Sequence, residues 1–106
     1  MIENLDEIDH IAIQVKDINV SLKWYLDNFK CTKIYSDDTW AFLKFENIKL
    51  ALVTNSEHPP HFAIIDTSIL SKKNIIEHRD GSVSKYINDA DSNYLELITY
   101  KKYEND

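Results

Sequence analysis

His10-Ile11-Ala12-Ile13 and His61-Phe62-Ala63-Ile64 are one phrase written twice. Leu50-Ala51-Leu52-Val53-Thr54 and Leu95-Glu96-Leu97-Ile98-Thr99 are a second phrase, also written twice. The order is the same in both halves: a segment opened by His, a middle, then a segment built on Leu-x-Leu. Repetition at this scale marks a duplicated supersecondary unit, and the second copy is shorter than the first by about six residues between its landmarks. Alternation places all four segments on strands. Ile11, Ile13 and Val15 form a uniformly β-branched face that is expected to meet the core. His10 projects from the opposite face with Ile8, Ala12 and Gln14. By the same reading His61, Ala63 and Ile65 share a face, as do Lys49, Ala51 and Val53, and as do Tyr94, Glu96 and Ile98.

Between the landmarks of the first half, Ile18, Leu22, Tyr25, Leu26 and Phe29 recur at helical spacing, which predicts a helix over about 17–29 with Asp17 or Asn19 as its cap. Trp24, Tyr25 and Phe29 are expected in the core. Extended segments near 31–36 and 39–45 complete a β-α-β-β-β order. In the second half, strand 60–66 is followed by a shortened helix within 67–74 and strands near 75–79, 83–88 and 94–100. The fold class is therefore α+β, two βαβββ modules with the second helix cut short. They occupy about 8–54 and 60–100 of one domain spanning 1–106, with an acidic tail at 101–106. Gly81 is the single glycine, so turns must be made by Asn, Asp and Ser, which bond locally and tolerate left-handed backbone. Such clusters stand at Ser36-Asp37-Asp38, Glu46-Asn47, Asn55-Ser56 and 88–93.

The 106 residues carry 18 acidic and 12 basic side chains, a net charge of −6. That surface repels polyanions and excludes sequence-independent nucleic-acid binding. Apolar runs of about five residues are far short of a membrane span, and the acidic N-terminus is unlike a signal peptide. One cysteine, Cys31, makes no intrachain disulfide and has no activating neighbour in sequence. A reducing compartment, the cytoplasm, is expected.

Three potential ligands, His10, His61 and Glu96, stand on the same kind of strand face. Two imidazoles and a carboxylate suit a borderline divalent ion and leave open positions for substrate. A carboxylate in the middle of Tyr94-Leu95-Glu96-Leu97-Ile98 is costly to bury unless something compensates its charge. Spacing alone leaves two readings: a metal site, or an outward-facing Glu with two hydrogen-bonded histidines.

The repeated units, with His opening the first strand of each and Leu-Glu-Leu closing the second, resemble the vicinal oxygen chelate superfamily. That group includes glyoxalase I, bleomycin-resistance proteins, extradiol dioxygenases and fosfomycin-resistance enzymes. The resemblance covers roughly 6–100. It is carried by Asp9 to Val15, by Asp17 to Phe29 with Ser21 and Trp24-Tyr25, and by Lys85 to Leu97. In that last segment Ala90 and Ser92 stand where the family has Pro and Gly, and Phe29-Lys30 lacks the glycine that follows the family's helix. The resemblance implies the glyoxalase/bleomycin resistance/dioxygenase fold and one divalent ion (Fe, Mn, Zn or Ni) on His10, His61 and Glu96. The family's fourth ligand position falls on Ala51, which leaves a two-His, one-carboxylate set. Tyr86, ten residues before Glu96, matches a substrate-contacting tyrosine of the fosfomycin-resistance enzymes and is expected to take part in catalysis, as a donor to a bound oxyanion or as an acid/base group. Ala12 replaces a threonine of the fosfomycin-resistance enzymes and argues against that activity.

Gln14, Lys49, Tyr35, Trp40 and Tyr94 are expected to line the cup. His58 is read as a loop residue, or as a substrate contact, base or extra ligand at the pocket, and His78, between Glu77 and Arg79, as strand surface. The implied function is a metal-dependent enzyme, dioxygenase-like or lyase/isomerase-like, acting on a small molecule with adjacent oxygens. The alternative is a non-catalytic drug-binding protein of the bleomycin-resistance type, for which twelve aromatics and the negative charge suit a cationic ligand. A homodimer is expected.

Overall fold

A computed structural model describes residues 4–54, 59–71, 74–78 and 81–100. The chain divides into two compact units, one of residues 10–61 and one of 1–9 with 62–106. Its strands are β1 (Ile8–Gln14), β2 (Thr32–Ser36), β3 (Trp40–Lys44), β4 (Lys49–Val53), β5 (His61–Ile65), β6 (Ile76–Glu77), β7 (Ser82–Asn88) and β8 (Tyr94–Tyr100). Helix α1 spans Ile18–Asn28, and a 3-10 turn spans Thr67–Ser71. Among the described residues no helix is long and apolar enough to cross a membrane.

In the 10–61 unit the strands lie in the order β2-β3-β4-β1. β1 and β4 are parallel, an arrangement that needs a long crossover, here α1, β2 and β3. β3 is antiparallel to both of its neighbours. Helix α1 starts where Asp17 accepts a hydrogen bond from the Val20 N–H at 3.0 Å. It stops where Phe29 turns extended, its N–H donating to the Tyr25 carbonyl. Ile18 and Leu22 of α1 are buried with Ala41, Leu43 and Leu52, and Ile13 and Val15 pack against them. On the other face Ala12, Phe42, Ala51 and Val53 form a second apolar cluster, with Tyr35 and Trp40 against it.

Two expectations about this core are corrected. Trp24 is 53% exposed and Phe29 50% exposed. Trp24 lies two residues, about 200°, from Leu22 and so points away from the buried stripe, while the extended backbone of Phe29 takes it out of helical spacing. These rings pack on one another instead, Trp24 with Tyr25 at 5.0 Å and with Phe29 at 5.8 Å between centroids. Ile11 is 44% exposed: the narrow Ile18–Leu22 stripe draws Ile13 and Val15 into its cluster but not Ile11.

The other unit orders its strands β5-β8-β7-β6, with β5 parallel to β8 and β7 antiparallel to both β8 and β6. The expected second helix is a single 3-10 turn, capped where Asp66 accepts from the Ser68 N–H at 3.0 Å. It packs against β7 and β8, and its Ile69 is fully buried. The N-terminal segment is tied to this unit by the Ile65 N–H donating to the Glu7 carbonyl. The Tyr100 hydroxyl donates to Asp9 at 2.8 Å.

Turns fall where the Asn, Asp and Ser clusters stand. Asp37 Oδ1 accepts from the backbone N–H of Thr39 and Trp40 at 2.9 and 3.0 Å, closing the β2–β3 hairpin. The Phe45 N–H reaches the Ile48 carbonyl around Glu46-Asn47. Between β7 and β8, Asp89 accepts from the backbone N–H groups of Asp91 and Asn93 and from the Asn93 side chain. Ser92 takes φ +69° there, the left-handed backbone for which the resembling motif has glycine. The expected turn at Asn55-Ser56 and the tail at 101–106 lie outside the described residues.

Candidate metal centre

Register decides which side chains share a face in the 10–61 unit. β1 and β4 pair His10 with Lys49, Ala12 with Ala51, and Gln14 with Val53. β3 sets Trp40 beside Val53 and Phe42 beside Ala51, and β2 sets Tyr35 beside Phe42. His10, Gln14, Lys49, Trp40 and Tyr35 therefore all belong to one sheet face, as alternation predicts. Ala51, at the register of the missing fourth ligand, lies inside the apolar cluster with Ala12 and Phe42.

A run of rings crosses this face. Tyr35 and Trp40 lie 4.6 Å apart, Trp40 and Phe42 4.9 Å, Phe42 and His10 4.9 Å, and His10 and His61 5.8 Å between centroids. Both imidazoles are buried. His61 Nδ1 lies 2.7 Å from the Pro59 carbonyl oxygen. A carbonyl only accepts, so Nδ1 carries the hydrogen and Nε2 presents the lone pair, the tautomer a metal ligand needs. The Lys49 ammonium stands 5.3 Å over the Phe42 ring, and the Tyr35 hydroxyl donates to Asp37 at 2.6 Å.

In the other unit Glu96 is 3% exposed, at the centre of β8. Tyr86 lies directly opposite it in the β7–β8 ladder, hence on its face. Tyr94 pairs with Asn88 and is exposed at the strand's start. One residue overturns its sequence reading. His78, expected on the strand surface, is largely buried against Glu96, with its Nε2 3.3 Å from Glu96 Oε2 and 2.6 Å from Ser84 Oγ. Alternation held the signal: Ile76 pairs with Ser84, so His78, two residues on, falls on that same face. Its charged sequence neighbours hid it. His58 lies outside the described residues. A surface hollow of about 460 Å³ lined by Lys30, Cys31, Thr32, Lys44, Phe45 and Glu46 includes none of the expected site residues.

No protein-family model matches the sequence, and no curated protein matches it. Solved structures do. A hypothetical protein from Bacillus halodurans C-125 superposes with a TM-score of 0.70 at 19% identity, over 90% of this chain and 94% of that one. Methylmalonyl-CoA epimerase from Mycobacterium tuberculosis gives 0.69 at 17%, over 94% and 92%. A glyoxalase/bleomycin resistance protein/dioxygenase superfamily member from Vibrio splendidus 12B01 gives 0.61 at 14%, over 89% and 98%. The chain thus has the glyoxalase/bleomycin resistance/dioxygenase fold, that of the vicinal oxygen chelate proteins. Its two βαβββ repeats, the second with a 3-10 turn for a helix, agree with the duplication read in the sequence.

Proposed function

We propose that this chain is a small metal-dependent enzyme of the vicinal oxygen chelate type. It holds one divalent ion on His10, His61 and Glu96 and takes a small-molecule substrate by two adjacent oxygens. The observation that carries this reading is the pair of buried imidazoles, His10 and His61, with ring centroids 5.8 Å apart, together with the buried carboxylate of Glu96 in the other unit. Two neutral imidazoles and a carboxylate suit Fe, Mn, Zn or Ni and leave coordination positions for substrate. When bound, the ion supplies Lewis-acid polarisation of substrate oxygens.

The chain's own residues divide the remaining work. The Pro59 carbonyl fixes the His61 tautomer. Lys49 and Gln14, on the face of His10, orient an anionic or carbonyl-bearing substrate. The Tyr35–Trp40–Phe42 rings give it a dry wall. Tyr86, beside Glu96 in the ladder, holds or delivers a proton at its hydroxyl. Dioxygenase-like and lyase- or isomerase-like chemistry both fit this set.

The same row of rings favours a second reading, a binder of a flat cationic molecule without catalysis. Elemental analysis of protein purified without chelators separates the two. The enzyme reading expects about one ion per chain, lost in His10→Ala, His61→Ala and Glu96→Gln. Metal content unchanged in all three variants overturns it. Metal-free protein whose melting temperature rises with a cationic aromatic compound supports the binder.

A further inference from the structure

We propose that His78 is a positioning residue that holds the Glu96 carboxylate in place as a metal ligand. The inference rests on the ligand set proposed above and adds a residue that this set does not contain. Glu96 is 3% exposed, so water does not orient its carboxylate, and a metal needs one oxygen aimed and steady. His78 Nε2 lies 3.3 Å from Glu96 Oε2. A ring nitrogen facing a carboxylate oxygen carries its hydrogen, because two lone pairs facing each other repel. On this proposal that hydrogen lies between Glu96 Oε2 and Ser84 Oγ, which is 2.6 Å from the ring nitrogen and fully buried.

The imidazole itself is anchored by the backbone. The His78 N–H donates to the Ser82 carbonyl at 2.8 Å, and the Gly81 N–H donates to the His78 carbonyl at 3.0 Å. Gly81, at φ +90°, makes this reversal with a conformation that other residues rarely adopt. The chain's single glycine thus closes the turn that delivers His78 to Glu96.

The test uses Co²⁺ alone, titrated into metal-free full-length protein and read by calorimetry and by the visible spectrum of the bound ion. His78→Ala is expected to weaken Co²⁺ binding about 10–100-fold and to change the spectrum, while His78→Gln, which keeps an N–H donor, recovers most of the affinity. The far-ultraviolet circular dichroism of the metal-free variants is expected to match wild type. Wild-type affinity and spectrum in folded His78→Ala overturn this inference and leave the ligand set standing. Equal weakening in His78→Ala and His78→Gln also overturns it, since a donor to Oε2 is then not what matters. Wild-type protein that takes up no Co²⁺ overturns the ligand set, and this inference with it.

Discussion

Glu96→Gln is expected to move the stability of the protein in opposite directions with and without metal. Without metal, a carboxylate that is 3% exposed has lost most of its hydration, and contacts such as that of His78 Nε2 at 3.3 Å return only part of it. The amide of Gln has the same shape and no charge to desolvate, so the substitution stabilises the metal-free protein by about 1 kcal/mol, a fraction of the several kcal/mol that burying an ion costs. For a chain of 106 residues, an unfolding entropy of roughly 2 cal/mol/K per residue makes that about +5 °C in Tm. With metal at 100 times its Kd, wild type gains ~2.7 kcal/mol, or about 12 °C. The variant, lacking its anionic ligand, gains little. The assay is differential scanning calorimetry at pH 8, above the titration range of an ordinary imidazole, with and without excess metal. A variant whose metal-free Tm falls by several degrees refutes the desolvation argument. A metal-induced rise equal to that of wild type refutes ligation by Glu96.

Gly81→Ala should lower Tm by about 5 °C. A Cβ there meets nothing within 4 Å, so the cost is purely the left-handed backbone, ~1–2 kcal/mol, less a few tenths to 1 kcal/mol from a stiffer unfolded chain. An unchanged Tm contradicts this. At Ser92, φ +69°, the expected stability order is Gly at or above Ser, and Ser above Val by about 1 kcal/mol or more; chemical denaturation ranks the three, and Val equal to Gly sinks the argument.

Asp89 is held below its ordinary 3.8 by the Asn93 side-chain amide first, then by the backbone N–H groups of Asn93 and Asp91. A lowered folded value stabilises above the unfolded one and is lost as pH falls through the folded one. The unfolding curves of wild type and Asp89→Ala should therefore differ above about pH 4 and converge near pH 2. Curves that stay parallel over that range refute the assignment. Val20, Trp24 and Phe29 stand exposed on and beside α1, and light scattering is expected to give a dimer of 12.4 kDa chains; a monomer mass removes that expectation.

The repeat, the strand positions and the turns were legible because each depends on neighbours in sequence. Alternation in Lys49-Leu50-Ala51-Leu52-Val53 places Ala51 with Lys49 whatever the strand later meets, and Asp37 and Asp89 close their turns on N–H groups two to four residues away. The pairing of Tyr86 with Glu96 follows from the hairpin that joins their strands. His78 was misread because its partner lies eighteen residues on, across two strands, while Glu77 and Arg79 make its surroundings look like solvent. Trp24 and Phe29 were misread because hydrophobic spacing reports an apolar surface and not whether anything covers it.

Sequence by itself determined which side chains stand together on a strand face: His10 with Ala12 and Gln14, Glu96 with Tyr94 and Ile98. It also determined where the chain turns. Only the tertiary structure decided that the His10–Ala12 face is as buried as the face against α1, that Ile11 is left half in water, and that an imidazole is packed against Glu96. Periodicity is a property of the backbone repeat and survives in any context. Burial and contact depend on which distant segments arrive, and no local pattern encodes that arrival.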